Sequence, residues 1–543
     1  MSRGSGGDAP TSDPARSAEL ALTRFRADRR SRNRRDTDPF DAFYRIYVGG
    51  LIGLFLFYLA LGLVDDVTVG AAGNQWAITV GPRWIALVAA AVITIGVRSG
   101  ANGGPLAIDD LELHHVLLSP LDRSVVLRYP ARQLLVAATG MGALFGAAAG
   151  ELASRRLAGT QIDWVLSGLL TGSAIAVAGV GAAFLAAVSR RRRGLVIAIS
   201  LVPTVWAVFD LARGTTTSPT TGFGDLAVWA LDARPRALAG LVVAVALAAT
   251  GWIRRGHLSI ERAHHRSQLV AQIRFALAQQ DIRSLLLLRR QLAFETPRAR
   301  PWVTIRAGGR FEDRFPVTIR DARSYARWPL GRILRVGGLA VIAGISLGAM
   351  WQGTTALIAV VGVALYLAAI EVIEPLSQEL DHPAMLELIP ITPGRVILGH
   401  ILSAVVAMTA VWIVVGTVAM AAALDWRIGV ASAIAVLPAA TAAVAAGGLS
   451  IKRFESPALV VPAEVEGPRM LYRLLWPPML TLAGAVPVVI ARDAVASGAP
   501  VVAPTALTAL LVGVVAVAAV AWIRFRDELA VAAAQAQGQG RPT

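Results

Sequence analysis

Residues 400–423 read HILSAVVAMTAVWIVVGTVAMAAA, and residues 502–523 read VAPTALTALLVGVVAVAAVAWI. Neither stretch holds an Asp, Glu, Lys or Arg. Each reaches the roughly 20 predominantly apolar residues that an α-helix needs to cross a bilayer. Working outward, ten more such stretches lie at 46–64, 84–104, 133–150, 164–188, 195–212, 237–253, 333–351, 355–373, 428–449 and 471–491. The sequence therefore predicts an all-α membrane protein of about twelve transmembrane helices. Composition agrees. The chain is 55% hydrophobic and 16% charged, where soluble domains are about 25% charged, and its mean hydropathy is +0.58. The first stretch follows a polar, arginine-rich segment and precedes no small-residue cleavage site, so a span is expected there rather than a cleaved signal peptide.

The formal net charge is +16. The basic residues lie between apolar stretches rather than on one soluble face, so membrane orientation accounts for them and nucleic acid is not expected as a partner. With the N-terminus inside and the chain alternating through twelve spans, the outside loops hold eight basic residues: Arg83, Arg155, Arg156, Arg213, Arg234, Arg236, Arg427 and Arg492. The inside segments, with the span ends adjoining them, hold the other 44 of 52. Both termini are thus expected in the cytoplasm, with the chain in the inner (cytoplasmic) cell membrane. The run Arg190–Arg193 reads as a topology determinant, with contact to anionic membrane lipid in addition.

The two halves share a plan that predicts pseudo-equivalent six-helix halves. Two spans are followed by a cytoplasmic segment, two more spans, a short basic loop and two final spans. The basic loop is Ser189–Gly194 in the first half and carries Ile451–Phe454 in the second. The expected organisation is a cytoplasmic N-terminal segment at 1–45, transmembrane halves at 46–253 and 333–523, a central cytoplasmic region at 254–332 and a tail at 524–543. Within the central region, Leu269, Ile273, Leu277, Ile282, Leu285 and Leu288 predict an amphipathic helix over 267–292. Two β-like runs, Trp302–Arg306 and Phe315–Arg320, predict a small hairpin through Gly308 and Gly309.

The segments after the second span of each half correspond. The first runs from Asp109 and Asp110 through Glu112 to Leu117-Leu118-Ser119-Pro120, then Arg123. The other runs from Glu379 and Asp381 through Leu386-Glu387-Leu388-Ile389-Pro390 to Arg395. In both, acidic residues lead into a short apolar run, a proline turn, a basic residue and the next span. A short apolar helix stopped by proline and edged by charge suits docking into a partner's groove.

These loops resemble those of ABC-2-type exporter permeases, in which an acidic stretch after the second span leads to a leucine-leucine-x-x-proline turn, a basic residue and a third span. The resemblance implies a transmembrane subunit coupled to a separate ATPase, two copies of which would face the two loops. It assigns coupling to Glu112, Leu118, Pro120 and Arg123, and to Glu387, Leu388, Pro390 and Arg395. A phosphate-binding G-x-x-x-x-G-K-[ST] loop is absent, since the only lysine, Lys452, lies between Ile451 and Arg453. No cofactor and no enzymatic activity of the chain's own are expected. The alternatives are a secondary transporter of the major facilitator type, whose G-x-x-x-D-R-x-G-R loop is missing, and a non-transporting membrane scaffold. Few polar groups in the spans suit an apolar or amphipathic cargo.

The remaining candidates carry less. With no cysteine, disulfides, thiol catalysis and cysteine-ligated metal are excluded. The pairs His114-His115 and His264-His265 do not share a helix face, and His257, His382 and His400 are scattered, so exposed loop histidines are expected rather than metal ligands. Carboxylates are nearly absent from the spans. Asp210 is expected to reach the interface, and Glu371 with Glu374 to pair with arginine rather than relay protons. The glycines of Gly140–Gly146 and Gly168–Gly181 predict close helix packing.

Overall fold

The computed structural model describes residues 23–25, 27, 28, 31, 57, 69–101, 104–106, 122–188, 193–258, 272, 298–306, 310–381, 392–451 and 476–539. Across the described residues the chain is 84% helical and contains no strand. It is an all-α, multi-pass membrane protein. Nine described helices are long and apolar enough to cross a membrane, or ten with a bent pair taken as one span.

The chain divides into two compact units, Met1–Ala293 and Phe294–Thr543. In the first unit the helices are α1 (Ala71–Thr79), α2 (Gly81–Ala101), α3 (Arg123–Val126), α4 (Arg128–Ser154), α5 (Gln161–Val188), α6 (Arg193–Arg213), α7 (Thr221–Ala227) and α8 (Ala237–Arg254). In the second they are α9 (Arg310–Arg314), α10 (Pro316–Tyr325), α11 (Leu330–Trp351), α12 (Ile358–Val372), α13 (Glu374–Asp381), α14 (Pro393–Ala423) and α15 (Trp426–Ile451). The bent pair α16 (Trp476–Ala483) and α17 (Val486–Ala496) follows, turning by 43°, and α18 (Val502–Gln539) ends the series. Eleven of the twelve expected stretches coincide with these helices; the stretch 46–64 lies outside the described residues except for Phe57, as does nearly all of 267–292.

The expected hairpin is not formed. Trp302–Arg306 is irregular, and Phe315–Arg320 enters α10. Proline at position 316 takes the first helical position, where its fixed φ favours a helix and its missing N–H costs nothing. The irregular segment is strapped to the end of α10 instead. Trp302 N donates to Ala326 O at 2.8 Å, and the Trp302 indole donates to Trp328 O at 2.8 Å.

The fourth expected span is a packing centre of each unit, a role shared in the second with α14, which packs on α10, α11, α12, α13, α15 and α18. In the first, α5 packs on α2, α4 and α8; in the second, α15 packs on α12, α14 and α18. This is the same second, third and sixth span in both cases, which supports the two-half plan. The means of close approach differ. Between α4 and α5, Gly142, Gly146 and Gly150 face Gly168 and Gly172. A Cβ on Gly146 would stand 2.1 Å from Gly168 O, and one on Gly168 would stand 2.2 Å from Gly146 O. Lipid supplies no hydrophobic drive for helix association, so such backbone contact is itself a source of adhesion. The α15 hub uses alanine instead, with Ala431, Ala435, Ala439 and Ala443 all fully buried. Polar side chains add specific ties. Thr94 on α2 donates to Ser200 O on α6 at 2.7 Å, and Tyr366 on α12 meets Ser450 on α15 at 2.9 Å.

Candidate functional site

Of the eight expected coupling residues, Glu112, Leu118, Pro120, Glu387, Leu388 and Pro390 lie outside the described residues. Arg123 and Arg395 are described, one in each unit. Arg123 is the first residue of α3, directly before α4. Its helix is capped by Asp122, whose carboxylate accepts from Ser124 N and Ser124 Oγ, both at 2.9 Å. Those hydrogen bonds, the backbone one foremost, hold the Asp122 carboxyl below its ordinary range. Arg395 is in the first turn of α14, its N donating to Thr392 O at 2.9 Å. Each loop thus delivers its arginine to the start of the third span of its half.

Around the second loop the structure assembles a charged foot. Arg332 and Arg335, three residues apart, lie in the first two turns of α11. Glu371 ends α12 and Glu374 begins α13. Arg335 holds Glu371 bidentately, Nε to Oε1 at 2.9 Å and Nη2 to Oε2 at 3.1 Å. Arg332 pairs with Glu374 and donates to the main-chain oxygen of Glu371. The expected pairing of both glutamates with arginine is what the geometry displays. A cation near a helix N-terminus and an anion near a C-terminus both oppose the helix dipole. Arg332 and Glu371 are therefore retained for each other and not as caps. All three of Arg332, Glu371 and Glu374 are buried, and the Arg332 guanidinium stacks on Trp328 at 4.2 Å. The neighbouring Tyr325 donates to Val372 O at 3.0 Å, and burial raises its phenol well above the ordinary range.

A second network abuts this foot. Asp321 on α10, 1% exposed, accepts from Ser403 Oγ at 2.7 Å, and its Oδ2 lies 2.7 Å from His400 Nδ1; both partners are on α14. His400 Nε2 faces Arg320 Nη2 at 3.3 Å and Glu379 Oε2 at 3.7 Å. Arg320 Nη2 in turn pairs with Glu379 Oε2 at 2.7 Å. His400 is thus a buried, partnered histidine, correcting the expectation of an exposed one. The residues are those of a hydrolytic triad, but their order is not. Ser403 and His400 both address Asp321, so the imidazole does not stand between hydroxyl and carboxylate as general-base activation requires. The arrangement ties α10, α13 and α14 together.

The first unit buries carboxylates as well. Asp210, near the end of α6, is 2% exposed. It accepts from Thr215 Oγ1 at 2.6 Å, Thr217 Oγ1 and Thr217 N at 2.7 Å, and Ser218 N at 2.6 Å. The following loop folds back over the end of the helix and supplies the donors that water would have given. Asp225 on α7 is fully buried, with Arg234 Nη1 at 3.3 Å and Arg236 Nε at 3.5 Å. The buried carboxylates of both units thus lie at span ends or on short helices between spans.

Sequence reading missed Asp321, His400, Ser403, Arg320 and Glu379 as one group. The signal present was His400 and Ser403, three apart at the foot of an otherwise apolar stretch. No group of three or more His, Asp or Glu among the described residues is arranged to hold a metal ion. No family model, curated protein or solved structure matches the chain.

Proposed function

We propose that this chain is the transmembrane permease subunit of an exporter, energised by a separate ATPase that docks on the cytoplasmic loops 109–123 and 379–395. The observation that carries the reading is the braced foot of the second loop. A loop that transmits force needs a rigid root. Here α13 and α14, which flank the loop, are bound to α10, α11 and α12 by Arg332, Arg335, Glu371, Glu374, Asp321 and His400. A push on the loop would move a unit of five helices and not a flexible connector. The equivalent positions of Arg123 and Arg395 and the repeated hub add support from both halves.

In this mechanism Leu118 and Leu388 fill a groove on the ATPase, Pro120 and Pro390 fix the turns, and Glu112, Arg123, Glu387 and Arg395 pair at its rim. Apolar anchors at an interface commonly cost more than about 1 kcal/mol on truncation, and rim charges less. ATP-driven closure of the paired ATPases displaces both feet and shifts the bundle between conformations of different cargo affinity. The chain supplies binding and motion; the partner supplies nucleotide hydrolysis.

The test is co-purification with the ATPase. Leu388→Asp should lose at least tenfold of the bound partner at unchanged membrane level, while Arg314→Ala on α9 retains it. Equal retention by both variants removes the loop from the coupling role.

A further inference from the structure

We infer that His400 Nε2 is a proton-binding site which, on gaining its proton, exchanges the hydrogen bond it accepts from Arg320 for one it donates to Glu379. The argument begins with the two ring nitrogens. Nδ1 is committed, because it lies 2.7 Å from Asp321 Oδ2, a carboxylate that can only accept. Nδ1 therefore carries a hydrogen in both protonation states, and the neutral ring leaves its lone pair on Nε2. That lone pair meets Arg320 Nη2 at 3.3 Å, a donor. The neutral ring and Arg320 are compatible, and Arg320 at the same time holds Glu379 at 2.7 Å.

Adding a proton to Nε2 reverses each of these relations. The nitrogen becomes a donor, so the Arg320 contact changes from a hydrogen bond to two donors and two positive charges facing each other. Glu379 Oε2, at 3.7 Å, is the acceptor within reach of the new N–H. Exposure decides which partner gives way. The His400 and Asp321 side chains are 1% and 2% exposed and Glu379 is 13% exposed, whereas Arg320 is 53% exposed. Arg320 can turn into water at little cost; the other three cannot. Protonation thus ends the Nε2 contact with Arg320, which keeps Glu379 at 2.7 Å and Asp321 Oδ1 at 4.0 Å within reach, and draws Glu379 to the imidazolium.

The groups facing His400 can be named from each packed element. From α10 come Asp321 and Arg320, from α13 Glu379, and from α14 itself Ser403, behind which stands Tyr325. Arg332 with Glu371 and Glu374 lies at the same foot. Asp321 and Glu379 favour the proton and Arg320 opposes it. Histidine is the side chain whose charge ordinarily changes between about pH 5 and 8. The exchange takes place on α13, two residues before its end at Asp381. The proton site stands by itself; only its consequence for coupling rests on the permease reading, and the test contains no ATPase.

The test is ¹⁵N NMR of the full chain in lipid nanodiscs with labelled histidine, from pH 8 to pH 5. His400 should hold a proton on Nδ1 alone at the alkaline end and gain one on Nε2 as pH falls. Arg320→Gln removes the opposing cation and should raise the proton affinity of His400 several-fold. Glu379→Gln removes the negative charge beside the ring and should lower it several-fold. His400→Gln identifies the signal by its loss. If that variant does not fold, the signal is the one histidine resonance that Arg320→Gln and Glu379→Gln move in opposite directions. A His400 signal with Nε2 protonated and Nδ1 bare at pH 8, or a titration unmoved by Arg320→Gln, overturns the inference.

Discussion

The two units bury charge by different means. In the first, Asp210 and Asp225 are satisfied by neighbours in sequence: Asp210 by residues five to eight positions on, and Asp225 chiefly by Arg234, nine positions on. In the second, the partners are remote. Arg335 reaches Glu371 across 36 positions, and Ser403 reaches Asp321 across 82. A local arrangement folds as a loop and fixes only itself. A remote one fixes several helices relative to each other, so its loss is felt across the unit. The first unit obtains its rigidity elsewhere, from backbone contact between glycine-lined helices.

The largest effect should follow from breaking the remote cluster. Arg332→Leu removes the buried guanidinium that pairs with Glu374 and donates to Glu371 O, and removal of one partner of a buried pair costs on the order of 3–5 kcal/mol. Loss of monodisperse protein on heating in detergent measures this. Asp225→Asn in the first unit should cost less, about 1–2 kcal/mol, because Arg234 and Arg236 are 26% and 55% exposed and reach water when released. An equal loss in both variants would erase the distinction between the units.

Glycine contact gives the next effect. Gly146→Ala places a methyl 2.1 Å from a backbone oxygen that no rotamer change can move, and overpacking of this kind costs about 1–3 kcal/mol. The control is Gly140→Ala on the same helix, where nothing lies within 4 Å and no loss of thermal stability is expected. The smallest effect concerns Asp122. Its folded pKa lies below the ordinary 3.8, so its contribution is complete above that value and is lost as pH falls below it. Hydrogen exchange should report fraying at α3 below about pH 4, and Asp122→Ala should fray there at every pH.

What the sequence made legible follows the same division. Span positions were readable because apolar length is a local property, and eleven described helices lie where the apolar stretches predict them. Close packing at the glycines of α4 and α5 was readable, though not that these two helices meet, and the pairing of Glu371 and Glu374 with arginine was readable, though not that Arg332 and Arg335 supply it. Asp321 with His400 was not readable. Nothing in a composition or a period joins residues 79 positions apart, and Asp321 sits in a segment whose alternation resembled a strand. Proline at 316 and the packing of α10 on α14 overrode that pattern.

The bend between α16 and α17 has a mechanical consequence. A straight span is one rod, and displacement at one end arrives at the other. Here the rod is cut at Gly484 and Ala485, both buried, so the interrupted main chain is shielded from hydrocarbon by its own unit. Both pieces are tied to the same neighbour: Leu482 presses on Gly362 within α12, while Arg492 is bonded at 2.6 Å to Thr355 in the turn that opens that span. The fifth span of the second half is thus a bent rod whose two segments are each fastened along α12, one contact on either side of the joint.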